Sequence, residues 1–93
     1  MSNYTRGRYF EYRCKTILEA QGYVVIRSPQ SRGPADLVAM RDGEILFVQC
    51  KTGAGKLSAD ARAALIEMAR QAGGKAMLAR REGRGIVWEE LGQ

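Results

Sequence analysis

The chain has 93 residues, 45% hydrophobic and 27% charged, enough for one core and no second module, so residues 1–93 are expected to form a single domain. It has no histidine and two cysteines, which excludes Ser-His-Asp and Cys-His catalysis, imidazole zinc sites and a disulfide scaffold. Fifteen Lys and Arg against ten Asp and Glu leave a net charge of +5, nine of the basic and five of the acidic residues lying in residues 1–56; that balance suits a polyanion, nucleic acid first, although solubility alone also accounts for it.

Thr5 to Gln21 reads as a helix, because Phe10, Cys14, Ile17, Leu18 and Gln21 repeat at i, i+4, i+7 and i+8, and Gly22 follows as a C-terminal stop. Tyr23 to Arg27 is β-branched and aromatic and reads as a strand, followed by a loop over Ser28–Pro34. Asp36–Arg41 and Glu44–Lys51 read as two strands joined by Asp42-Gly43, a two-residue hairpin signal. A glycine-containing loop, Thr52–Leu57, leads to Ser58, a good N-cap with Asp60 in the first turn behind it. Ala61, Ala64, Leu65, Met68, Ala69 and Ala72 then form a helical stripe that stops at Gly73-Gly74. Ala76–Arg80 and Ile86–Glu89 are short strands around Glu82–Gly85, and Phe47 and Trp88 read as core residues. The order α-β-β-β-α-β-β gives an α/β (α+β) class with a mixed central sheet flanked by helices. No apolar run approaches the roughly 18 residues that cross a bilayer, and Met1–Arg6 has no apolar stretch of the kind a secretory signal needs, so no membrane partner and reduced, mostly buried cysteines are expected.

The hairpin serves as a ruler. A two-residue loop pairs Arg41 with Glu44, Met40 with Ile45, Val38 with Phe47 and, one step further, Asp36 with Gln49. Lys51, two residues on, returns to the face of Gln49. A carboxylate, a carboxamide and an ammonium are thus expected at one edge of the sheet, unless a bulge breaks the register. A hard cation such as Mg²⁺ takes oxygen ligands: Asp36, Gln49 and the main-chain carbonyl of Cys50 offer three, and Lys51 can hold a water or offset charge on a phosphate. Glu11, on the inner edge of the first helix, can complete the set.

These residues resemble the PD-(D/E)XK nucleases, and the surrounding sequence is similar to the archaeal-type and phage Holliday junction resolvases. Gly7 and Glu11 match the helix glutamate in its Gly-x-x-x-Glu setting, Arg27-Ser28-Pro29-Gln30-Ser31 matches the Arg-x-Pro-x-Ser loop, and Asp36 with Gln49-x-Lys51 matches the acidic-Lys motif. The resemblance covers about residues 5–80 and implies a restriction-endonuclease-like fold. It also implies Mg²⁺-dependent (or Mn²⁺-dependent) hydrolysis of DNA phosphodiesters at four-way junctions by a symmetric homodimer, in the cytoplasm of a prokaryote or a phage-infected host. Asp36, Gln49 and Glu11 would be metal ligands, Lys51 the catalytic lysine and Ser31 a serine near the scissile phosphate. The family usually carries Glu where this chain has Gln49, which lowers the site's negative charge by one and implies weaker metal binding.

Plainer readings stand beside these. Asp36 can begin a strand and bond a turn amide, Lys51 can be a solvated strand end, and Glu11 can pair with Lys15 at i+4. Arg6, Arg8, Arg13 and Lys15 flank Glu11 and are read as DNA-phosphate contacts, as are Arg27, Arg32 and Lys56. Tyr4, Tyr9 and Tyr12 interleave with them and are read as packing or dimer contacts. Gly53–Lys56 fails the spacing of a phosphate-binding loop. Two other functions fit the same fold: a restriction or repair nuclease on ordinary duplex, and a basic DNA-binding module without catalysis, which Gln49 keeps open.

Overall fold

The computed structural model describes residues 3–28, 33–53 and 56–92, with side chains from Gly7 onward. The elements are α1 (Asn3–Ala20), β1 (Val24–Arg27), β2 (Leu37–Arg41), β3 (Glu44–Lys51), α2 (Ala59–Ala72), β4 (Lys75–Glu82) and β5 (Gly85–Leu91). They follow the expected order. The last hairpin is longer than expected: β4 runs on to Glu82, and only Gly83 and Arg84 separate it from β5.

The five strands lie in one sheet in chain order. β1, β2 and β3 are antiparallel neighbours, β4 runs parallel to β3, and β5 returns antiparallel to β4. The parallel pair requires a crossover, and α2 is that crossover. The two helices cover opposite faces. Phe10, Cys14 and Leu18 of α1 pack with Val25, Leu37, Ala39, Leu46 and Val48 on one face. Leu65 and Ala69 of α2 pack with Ala35, Ala76, Leu78 and Leu91 on the other. Of the faces expected from periodicity, Ile17 is only half-buried, and Gln21, Ala64 and Ala72 are exposed, because the two helices each touch the sheet along a narrower stripe than the sequence pattern offers.

Local chemistry fixes the two connections that set the register. Asp42 and Gly43 have φ of 48° and 79°, the double left-handed turn whose twist matches a hairpin. The Ser58 hydroxyl accepts the Ala61 amide at 3.1 Å and starts α2. Gly74, where α2 passes into β4, lies so close to β3 that a Cβ there would meet the Ile45 carbonyl at 2.7 Å. No larger residue fits without moving the crossover.

Candidate active site

The hairpin register holds from Arg41–Glu44 through Met40–Ile45 and Val38–Phe47 to Leu37–Val48. It does not extend to Asp36 opposite Gln49. β2 begins at Leu37, and the Asp36 amide donates to the carbonyl of Val48 at 2.8 Å, so two residues of this strand end meet one residue of β3. The step turns the Asp36 side chain along the strand edge, and its Oδ2 accepts the backbone amide of Cys50 at 2.9 Å. The Asp36 carbonyl accepts the amide of Ser28 at 2.8 Å. With 5% of its surface exposed, Asp36 is the one buried charged residue among the described residues.

Cys50 lies between Gln49 and Lys51, so the Asp36 carboxylate meets β3 at the centre of the Gln-x-Lys motif. A strand residue directs its N–H and its C=O to the same edge. The Cys50 carbonyl therefore also points to the Asp36 side, where β2 has ended. Gln49 and Lys51 leave β3 on the face opposite Cys50. In the parallel register they stand beside Leu78 and Arg80. Both are half-buried, and Lys51 makes no ion pair among the described residues.

Glu11 approaches from α1. Its partner is Arg27 at the end of β1, with Arg27 Nη1 to Glu11 Oε1 at 3.3 Å and side-chain exposures of 21% and 16%. Lys15 instead pairs with Glu19 at 2.8 Å. Burial pushes the Glu11 carboxyl above its usual range, and the nearby charge of Asp36 pushes it further, against Arg27 and Arg8. Glu11 and Asp36 are thus electrostatic neighbours in a partly desolvated place. Cys50 packs against the cluster that holds Cys14, one turn along from Glu11, and the neighbouring thiol together with burial pushes the Cys50 thiol up.

The remaining expected contacts divide. Ser31 and Arg32, and the side chain of Arg6, lie outside the described residues. Arg8 is exposed and close enough to Glu11 to act on its charge. Arg13 is exposed and donates through Nη2 to the carbonyl of Arg84 in the β4–β5 turn. Lys56 is exposed. Arg27, expected as a phosphate contact, has its guanidinium committed to Glu11 and lies over the Tyr12 ring, 5.0 Å from its centre. Arg80, Arg81 and Arg84 add positive charge near this end without any motif that marks them in the sequence. The parallel pairing of Lys51 with Arg80 puts the β4–β5 hairpin past the end of β3, at the same end of the sheet as Asp36. Only the strand order reveals that.

The donors at this end are oxygens: two carboxylates, a main-chain carbonyl and a carboxamide. They suit a hard divalent cation better than a soft one. Among the described residues no group of three or more His, Cys, Asp or Glu is arranged to hold a metal ion, so any ion here would draw on the neutral oxygens and on water.

Comparison with known proteins identifies the family and the fold. Residues 2–90 match the family described as archaeal Holliday junction resolvase (Hjc). Over 49 residues the chain is 49% identical to the crossover junction endodeoxyribonuclease Hjc of Methanocaldococcus jannaschii, an alignment covering 53% of this chain and 36% of that relative. The match therefore spans little more than a third of the relative's length. The fold is similar to the solved structure of Hjc, a Holliday junction resolvase from Archaeoglobus fulgidus, with a TM-score of 0.77 and 28% identity, over 92% of this chain and 71% of the other. The mixed five-stranded sheet with its two helices is the α+β architecture of that structure.

Proposed function

Since this chain belongs to the archaeal Holliday junction resolvase (Hjc) family, we propose that it is an endodeoxyribonuclease that cuts DNA four-way junctions with the help of a divalent cation, Mg²⁺ or Mn²⁺. The observation that carries this reading is the buried carboxylate of Asp36 bonded to the Cys50 amide, inside the Gln49-x-Lys51 motif, with Glu11 beside it.

The residues fit such an ion. Asp36, the Cys50 carbonyl, Glu11 and Gln49 would hold it, and two neighbouring carboxylates in a desolvated place are stabilised by a positive charge. A bound divalent ion supplies Lewis acidity to a phosphoryl oxygen and acidity to water. The chain's own groups do the rest. The Cys50 amide holds Asp36 Oδ2 and the Asp36 backbone is bonded on both sides, so the carboxylate is oriented in advance. The Lys51 ammonium, uncommitted to any ion pair among the described residues, offsets charge on the phosphate as the phosphodiester breaks. Arg8, Arg13, Lys56 and the arginines of the β4–β5 hairpin draw in the DNA backbone. A two-fold dimer would set two such sites against the two opposed strands of a junction.

A second reading has one specific observation behind it. With Gln49 neutral, the site has only two carboxylates, which weakens cation binding and leaves room for a junction-binding protein that does not cut. Incubating the protein with labelled four-way and linear DNA, with Mg²⁺ or with EDTA, separates the readings. The proposal expects metal-dependent nicking of the junction. Binding with no cutting of either substrate supports the second reading, and equal cutting of both makes the protein a duplex nuclease.

A further inference from the structure

The Arg27 guanidinium is held from two sides. Glu11 Oε1 is 3.3 Å from Nη1, and the Tyr12 ring centre is 5.0 Å from Cζ. Tyr12 follows Glu11 in α1, is 45% exposed and belongs to neither core cluster, so the arginine is the partner its ring faces. Arginine keeps its charge at any working pH. It therefore leaves Glu11 only by moving, and its flexible stem permits that. A cation arriving at the two neighbouring carboxylates would meet like charge at this distance.

We propose that Arg27 is an internal counter-cation of the metal site: its guanidinium occupies the Glu11 carboxylate until a divalent ion displaces it, and the Tyr12 ring holds it beside the site. This rests on the metal-site reading above. It gives Arg27 a task different from the phosphate contact expected from the sequence. In the metal-free protein Arg27 offsets the repulsion between Glu11 and Asp36, the two carboxylates that share this end of the sheet. On metal entry that function passes to the ion, so Arg27 sets how tightly the ion binds. The ring's face attracts a guanidinium and keeps it from being lost to solvent.

The test is calorimetric titration of Mn²⁺ into the whole protein without DNA, for the parent, Arg27→Gln, Tyr12→Leu and Tyr12→Phe, with circular dichroism to establish folding. Removing a competing cation from a half-buried carboxylate is expected to tighten Mn²⁺ binding about fivefold in Arg27→Gln. Tyr12→Leu, which loosens the guanidinium, should tighten it by a smaller factor, and Tyr12→Phe, which keeps the ring, should match the parent. Unchanged or weaker binding by Arg27→Gln, with the parent binding normally, overturns the inference and leaves the metal site standing. If no variant and no parent protein binds Mn²⁺, the metal-site reading fails and this inference fails with it. Should Arg27→Gln not fold, the comparison of Tyr12→Leu with Tyr12→Phe decides: equal affinities overturn the inference.

Discussion

Asp36 Oδ2 and the backbone amide of Cys50 lie 2.9 Å apart, across the point where β2 stops and β3 continues. The carboxylate takes the place of the next rung of the ladder. It satisfies an amide that β2 no longer reaches, and it does so inside the Gln-x-Lys motif. Replacing Asp36 by Ala leaves that partly buried amide unpaired and should cost about 1–3 kcal/mol of stability. Asp36→Asn keeps an acceptor and should cost less. Both should abolish metal-dependent cleavage. Thermal melts and cleavage assays on the two variants separate the structural share of Asp36 from the chemical one.

Glu11 makes a prediction about pH. Its pKa is raised above the ordinary 4.5 by burial and by Asp36, so the folded state binds its proton more tightly than the unfolded chain does. Stability contributed by this group is present at low pH and is lost as pH rises from about 4.5 through the raised folded value. Glu11→Gln removes the effect. The metal-free variant should therefore match the parent near pH 4 and be more stable near pH 7, while losing cleavage. Urea titrations at both pH values check this, and a variant less stable than the parent at pH 7 contradicts it.

At the other end of the sheet, Arg41 binds the corner between α1 and β1. Its guanidinium donates to the Gln21 carbonyl at 2.6 Å and lies 4.1 Å over the Tyr23 ring, whose hydroxyl donates to Glu44 at 2.6 Å. Tyr23→Phe loses that hydrogen bond and the one its hydroxyl accepts from Arg41 Nη2 at 3.1 Å but keeps the ring, and should cost about 1–2 kcal/mol of stability. Cleavage should be unaffected, because none of these groups reaches Asp36. A melt with and without a cleavage loss distinguishes this corner from the site.

Gln49 provides a gain-of-function test. Gln49→Glu adds a third carboxylate to the donors near Cys50, and should tighten Mn²⁺ binding by about tenfold if Gln49 is a ligand. Gln49→Ala should weaken it. Two variants with the parent's affinity would remove Gln49 from the ligand set.

The hairpin was legible because Asp42-Gly43 forces both turn residues to positive φ, and that fixes every pair down to Leu37–Val48. The register failed at one residue, Asp36, because a carboxylate bonding a neighbouring strand's amide competes with the backbone ladder, and no periodicity reports such competition. Glu11 was legible as an inward-leaning carboxylate on the first helix. Its partner was not: Arg27 reaches it through the packing of α1 on β1, a contact invisible in local spacing, whereas Lys15 at i+4, the plainer alternative, pairs with Glu19. Arg80 beside Lys51 depends on the parallel crossover through α2, which only the strand order reveals.

Lys51 tests the account most directly. In Lys51→Ala, binding of a labelled four-way junction measured by gel shift in Ca²⁺ should stay within a few-fold of the parent, since one phosphate-directed charge among many is lost. The rate of junction cleavage in Mg²⁺ should fall by about 100- to 1,000-fold, the usual cost of removing one electrostatic donor from a reacting centre. A variant that binds the junction and still cuts it at the parental rate would contradict the site proposed here.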